Sequence, residues 1–153
     1  MTTAKQQHLR DLYQAISNGA QGDELTSFFH PDAEQIEYPS AVRPNGHRRG
    51  LAEMRAGAAV GAQLIVDQHY DVHTAIEDGD QLAVQLTWTA RAAQDLGPIK
   101  AGTRLLAHVA AFYVFREGLV LRQSSYDCYE PFAAPATTPP TRSAAVLSGA
   151  SPA

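Results

Sequence analysis

The stretch His108–Phe132, HVAAFYVFREGLVLRQSSYDCYEPF, contains two long apolar runs that meet at Glu117-Gly118. A polar residue followed by glycine, between runs rich in β-branched and aromatic residues, predicts a tight hairpin. The second run carries one carboxylate, Asp127, among Tyr126, Cys128 and Tyr129. A carboxylate taken out of water costs free energy unless it is paired, hydrogen-bonded or put to use. Asp127 is therefore a candidate acid/base in a cavity, or else a structural residue held by backbone groups or arginine. His108, mid-strand in a very apolar run, is either a core histidine or a titratable partner for Asp127.

Upstream of this hairpin the side-chain period is also two. Leu64, Val66, Tyr70, Val72 and Ile76 should point one way, and Asp67, His69, Asp71, His73 and Glu77 the other. Asp78-Gly79-Asp80 turns the chain, and Leu82, Val84, Leu86, Trp88 and Ala90 form the inward face of the next strand, leaving Gln85, Thr87, Thr89 and Arg91 outside. Gln94–Gly102 breaks the pattern. The strand from Thr103 to Phe115 is apolar on both faces, which predicts a central strand or one covered by a second subunit.

The first third follows a helical period. Leu9, Leu12, Tyr13 and Ile16 form one stripe, Thr3 and Gln6 are spaced as a capping box, and Gly19 is a stop, giving a helix over about 4–18. A second, shorter helix starts near Asp23 and carries Leu25, Phe28 and Phe29 before His30-Pro31 ends it. Glu34–Tyr38 alternates as a short strand, SAVRPNGHRR is a loop, and a third helix covers about 50–63. Helices followed by an antiparallel sheet make an α+β domain, with the helices on one face and a pocket left between the layers. Residues 1–132 constitute that domain. Residues 133–153, rich in Ala, Pro, Thr and Ser, offer too little apolar surface to offset their ordering entropy, so a disordered tail is expected.

Composition excludes several classes. A net charge of −4 with one short basic cluster, Arg43–Arg49, argues against nucleic acid as a partner. No run approaches the roughly 20 apolar residues that span a bilayer, so no membrane partner is expected. Cys128 is the single cysteine, which rules out an intrachain disulfide and fits a cytoplasmic, reducing compartment. Asp67, His69, Asp71 and His73 are metal-ligand types on one strand face. A run along a strand spreads them over about 20 Å at roughly 3.3 Å per residue, so they cannot surround one ion.

Three segments, FFHPDAEQIEY, NGHRRGLAEMRA and FREGLV with YDCYEPF, together with the order of elements, resemble the SnoaL-like branch of the nuclear transport factor 2 superfamily, which also contains ketosteroid isomerases, scytalone dehydratase and limonene epoxide hydrolase. The resemblance covers about residues 5–132. It implies an NTF2-like cone: three N-terminal helices packed on a curved antiparallel sheet, with an apolar pocket between them. The positions matching the ketosteroid isomerase donor, base and protonated acid are Leu12, Tyr38 and Ala111, none of which can serve, so that activity is not expected. The SnoaL-type polyketide cyclases use one Asp on the final strand as acid/base, and Asp127 occupies that place. The resemblance thus implies a cofactor-independent enzyme, without metal, of the cyclase, isomerase or dehydratase (lyase) type. Its substrate is a small, largely apolar, polyketide-like or aromatic molecule. Asp127 and His108 are the catalytic candidates, and Tyr13, Phe28, Tyr38, Tyr70, Trp88 and Tyr126 the pocket. A non-catalytic ligand-binding or dimerisation module is the alternative, and the dehydratase version requires His108 and Asp127 to converge. A homodimer through the sheet is expected in each case.

Overall fold

A computed structural model describes residues 1–132. The order of elements is α1 (Ala4–Ser17), α2 (Gly22–Thr26), β1 (Phe29–Glu37), β2 (His47–Gly50), α3 (Leu51–Leu64), β3 (Ile65–Asp78), β4 (Gln81–Ala92), β5 (Arg104–Arg116) and β6 (Leu119–Tyr129). All six strands join one sheet, in the order β2-β1-β6-β5-β4-β3. Only the β1–β6 pair is parallel. The mixed α+β architecture agrees with the expected class, although only α1 and α2 precede the sheet and α3 follows two strands. The expected tail, 133–153, lies outside the described residues.

The α1 boundaries follow from its caps. The Thr3 hydroxyl accepts from the Gln6 backbone N–H, and the Gln6 side chain returns the bond, completing the box. Leu9, Leu12 and Tyr13 are its buried stripe and pack against β3. The second helix is shorter than its sequence suggests. It ends at Thr26 with no buried residue, while Phe29 opens β1 and is buried. Strand β1 accommodates Pro31 because its pairing with β6 is interrupted between Phe29 and Glu34. A proline placed in that gap removes no ladder hydrogen bond.

The expected loop before α3 contains a strand, β2, paired back onto β1 with Glu37 opposite His47. The return depends on Gly46, whose φ is +65° and where a Cβ would sit 2.6 Å from the Glu37 carbonyl oxygen. At the far end, Glu117 and Gly118 both have positive φ, the two-residue turn that matches the twist of paired strands.

Strand β3 departs most from simple alternation. Its register against β4 slips between Val66 and His69 and again between Val72 and Thr74. Each slip inserts one extra residue and reverses which side chains face inward. Tyr70 and Val72 stand opposite Trp88 and Leu86 on the inner face, as expected, but Val66 is opposite Arg91 on the outer face. Beyond the second bulge, Ile76 turns outward and is 66% exposed, and Glu77 turns inward opposite Leu82. There Glu77 accepts from the Thr3 hydroxyl at 2.5 Å and from Lys5 Nζ at 2.9 Å, which ties the start of α1 to the sheet.

The main core joins Leu9, Leu12 and Tyr13 of α1 to Leu82, Val84 and Leu86 of β4, Tyr113 and Phe115 of β5, and Val120. A second cluster, around Ala90, Ala92, Ile99 and Leu105, closes the other end under the Gln94–Gly102 loop.

Replacing Thr3 by Ala removes the helix cap and the Glu77 contact together. Loss of a cap costs about 1 kcal/mol, so the melting temperature should fall by roughly 2–4 °C for a domain of this size. An unchanged thermal melt would mean that α1 docks without its cap.

Candidate functional site

Between the helices and the inner face of the sheet lies a cavity of about 770 Å³. Strand alternation decides what enters it. The inward residues of β5 are Leu105, Ala107, Val109, Ala111, Tyr113 and Phe115. Across the hairpin, Val109 stands opposite Asp127, Ala111 opposite Ser125 and Tyr113 opposite Gln123, so these three residues of β6 share the inner face. Asp127 lines the cavity, half-buried, and accepts a hydrogen bond from Ser125 Oγ at 3.2 Å. Burial, joined by the negative charge of Glu37 and opposed by the Ser125 hydroxyl, pushes the Asp127 carboxyl above the ordinary carboxylate range.

Phenols surround this carboxyl. The hydroxyls of Tyr13 and Tyr113 are 2.7 Å apart, the rings of Tyr13 and Tyr70 stack at 4.3 Å, and Tyr129 meets Trp88 edge to face at 6.1 Å. Burial, more than anything else, raises the pKa of Tyr13, Tyr70, Tyr113 and Tyr129, and the charge of Asp127 adds to each. All four stay protonated at neutral pH; the Tyr70 hydroxyl donates to Gln68 at 3.3 Å, and one of Tyr13 and Tyr113 donates to the other.

A second polar group occupies the β1–β2 end. Glu37 is held by Arg43 at 2.7 Å and Arg49 at 3.4 Å. Arg49 also donates to Gln35 at 2.5 Å, and Gln35 to Gln123 at 2.9 Å. Burial works against the charge of Arg49 and Glu37 opposes that effect. This chain of contacts spans β2, β1 and β6 and saturates Glu37.

Of the residues singled out by sequence, Asp127, Tyr13, Tyr70 and Trp88 line the cavity. His108 does not. It stands opposite Cys128 on the other face of the sheet, exposed, with Nε2 2.8 Å from Glu130 Oε1. Adjacent strand positions point to opposite faces, so His108 and Asp127 cannot converge. The dehydratase pair is thereby ruled out. Tyr38 and Tyr126 stack on each other at 4.4 Å on the outer face. Phe28 packs edge-on against His8 at 5.3 Å outside the cavity lining. The Asp67–His73 face is divided as well. Asp67 pairs with Arg91 at 2.6 Å and His73 with the Thr87 hydroxyl at 2.7 Å. Among the described residues no three His, Cys, Asp or Glu side chains gather to hold a metal ion.

Sequence reasoning missed Tyr113, Tyr129, Gln35, Gln68, Gln123 and Arg49. Tyr129 was available from alternation with Asp127, since residues two apart on a strand share a face; Tyr113, on the neighbouring strand, needed the pairing register. The polar four look like surface residues in isolation.

The family model described as SnoaL-like domain matches residues 9–123. Among curated proteins no sequence matches. Solved structures with the same fold include AclR, a candidate hydroxylase from Streptomyces galilaeus, at 16% identity and a TM-score of 0.64, covering 83% of this chain and 76% of that one. IdmH, a candidate polyketide cyclase from Streptomyces antibioticus, aligns at 17% identity and 0.63, over 80% and 91%. A protein of ketosteroid isomerase-like fold from Catenulispora acidiphila, in complex with trimethylamine, aligns at 17% and 0.62, over 78% and 83%. Identities this low carry the fold alone.

The raised pKa of Asp127 sets the direction of its effect on stability. The folded state keeps this proton at pH values where the unfolded chain has released it. Stability is therefore fully present below the ordinary value of 3.8 and drains away as pH rises from there through the folded pKa. Asp127→Asn lacks that loss. Urea unfolding from about pH 3 to about pH 8 should show the variant gaining on the native protein as pH rises. A variant that instead loses ground to the native protein as pH rises would mean the carboxylate is stabilised by a partner.

Proposed function

The chain belongs to the SnoaL-like domain family, and on that premise we propose that it binds a small, largely apolar, polyketide-like or aromatic molecule in the inner cavity and acts on it with Asp127 as acid/base. The observation that carries this reading is the position of Asp127: on the cavity wall, held only by Ser125 among the described residues, with its pKa displaced upward. A carboxylate with an elevated pKa is a stronger base, closer to the pH at which it would operate.

The chemistry needs nothing beyond the side chain and the substrate. The Asp127 carboxylate removes a proton from a carbon beside a carbonyl, and the C–H electrons form an enolate. The enolate carbon attacks a second carbonyl of the same molecule, making the C–C bond. The carboxylic acid then returns its proton to the new alkoxide oxygen. Neutral phenols along the wall supply hydrogen bonds to oxygen as charge builds there. The cavity wall holds the reactive conformer, so a single carboxylate can serve. The names of AclR and IdmH, hydroxylase and cyclase, are in keeping with small-molecule chemistry on this fold. A binding module without turnover is the second reading, favoured by the same isolation of Asp127, which would then anchor a ligand donor.

The two readings separate with 2-tetralone, whose carbon between ring and carbonyl is acidic enough to exchange. Proton NMR in deuterated buffer should show exchange faster with the native protein than with Asp127→Asn by about 10²-fold, the usual contribution of a positioned base. Equal rates would leave only the binding role.

We further propose a homodimer through the outer face of the sheet and, from its single exposed Cys128, a reducing compartment such as the cytoplasm. Phe112 and Tyr126, 49% and 47% exposed, lie side by side there with Tyr38. Arg48, Arg104 and Arg122 alternate with Glu34 and Glu130 around them, so the rim carries both signs. An apolar centre with a mixed-charge rim complements a second copy of itself. Light scattering at micromolar concentration should give twice the 16.5 kDa chain mass. The single-chain mass would overturn the dimer.

A further inference from the structure

The first bulge of β3 places two residues, Asp67 and Gln68, opposite Ala90 alone, because Val66 pairs with Arg91 and His69 with Thr89. Asp67 takes a φ of +54°, unusual for a residue with a side chain, and its carboxylate is pinned outward by Arg91 at 2.6 Å. Val66 faces outward opposite Arg91, so unbroken alternation from it would leave Gln68 outside too; the extra residue of the bulge turns Gln68 into the cavity. Bulges re-aim side chains in this way.

Inside, the Gln68 amide has a fixed orientation. Its Oε1 accepts from the Trp88 indole N–H at 3.2 Å and from the Tyr70 hydroxyl at 3.3 Å. An indole N–H can only donate, so the atom facing it is the amide oxygen, and a flip would set N–H against N–H. Both lone pairs of Oε1 are then occupied. The Nε2 amino group has two N–H donors and no acceptor within hydrogen-bonding distance among the described residues.

We propose that Gln68 is a specificity-determining residue, its amide holding an acceptor oxygen, ketone or phenolate, of the molecule bound in the cavity. The inference rests on the cavity being the ligand site and on nothing about turnover. Asp127 and Gln68 divide the work: one wall presents a carboxyl to a proton, the other presents donors to an oxygen. A site built to hydrogen-bond an oxygen discriminates against the analogue that lacks it, since its own polar group is then left unpaired. The ligand is therefore an oxygenated ring compound and not a plain hydrocarbon.

The probes are 2-tetralone and tetralin, one skeleton with and without an acceptor oxygen. Binding is followed by the indole N–H resonance of Trp88, the only tryptophan, which bonds Gln68 directly. Gln68→Glu keeps acceptors for Trp88 and Tyr70 and removes the amide donors. Gln68→Met removes both and guards against effects of the new charge. Both variants should lose affinity for 2-tetralone by about tenfold, the size of one net hydrogen bond, while tetralin affinity stays within about twofold of native. Retained tetralin binding also shows that the variant is folded. If both variants keep native affinity for 2-tetralone, or lose both probes equally, Gln68 does not select oxygen and the inference fails while the cavity reading stands. If the native protein binds neither probe, the cavity reading falls and this inference with it.

Discussion

The register between β5 and β6, set by a two-residue turn at Glu117 and Gly118, decides which side chains share the cavity. In that register Asp127 faces inward opposite Val109, and His108 faces outward opposite Cys128. A slip of β6 by one residue would turn its faces over and put Cys128 where the carboxyl now lies. The turn is protected by its own chemistry. Glu117, in the left-handed region, brings its carboxylate to 3.4 Å from the buried His30 ring, and His30 Nδ1 accepts from the Asp32 backbone N–H. The strained turn thus anchors the start of β1 to the tip of the β5–β6 hairpin. The β1 strand brings Glu37, Gln35 and, through β2, Arg49 to the site.

Glu37 and Asp127 both line this cavity, and their partners give them different characters. Glu37 has two guanidinium neighbours and belongs to a chain of contacts that crosses three strands. Its charge is compensated, and its value is to hold β1, β2 and β6 in register. Asp127 has one hydroxyl partner, aromatic surroundings and the field of Glu37. Burial without compensation raises the Asp127 carboxyl pKa. The same residue type is therefore charge-compensated at one end of the cavity and left with a single hydroxyl partner at the other.

Most of the architecture was legible because it follows from period. The α1 stripe and cap, the β4 alternation and the inward Trp88 all emerged from spacing alone, and the inward placement of Asp127 is consistent with the family resemblance. What was not legible arises from single-residue insertions. Nothing in Val66–Thr74 marks the two bulges, since Asp67 and His73 are ordinary strand-surface residues until the register is known. Ile76 and Glu77 consequently exchanged their expected faces. Phe28 and Phe29 resembled a helical pair because Pro31 reads as a stop, whereas the unpaired gap in β1 tolerates it. The polar half of the site was hidden for a related reason. Gln35, Gln123 and Arg49 are bonded to one another and Gln68 to Trp88 and Tyr70, so each looks like a surface residue until its partner is in place. His108 and Tyr126 show the converse, chemically attractive residues that alternation carries to the outer face.

The same physics explains why the cavity stays open. Aromatic rings that pack only through apolar contact would slide inward to fill it. Here their polar edges are tied: Tyr13 to Tyr113, and Tyr70 and Trp88 to the one Gln68 oxygen. The Tyr70 and Trp88 hydrogens are spent on Gln68, which keeps its amide N–H groups, and the Tyr13–Tyr113 pair keeps one hydroxyl hydrogen. The bonds that hold the walls apart thus also define what the space can recognise. A scaffold built this way can change its ligand by altering a few inward polar atoms without disturbing the sheet, which is how one fold comes to carry unrelated chemistries.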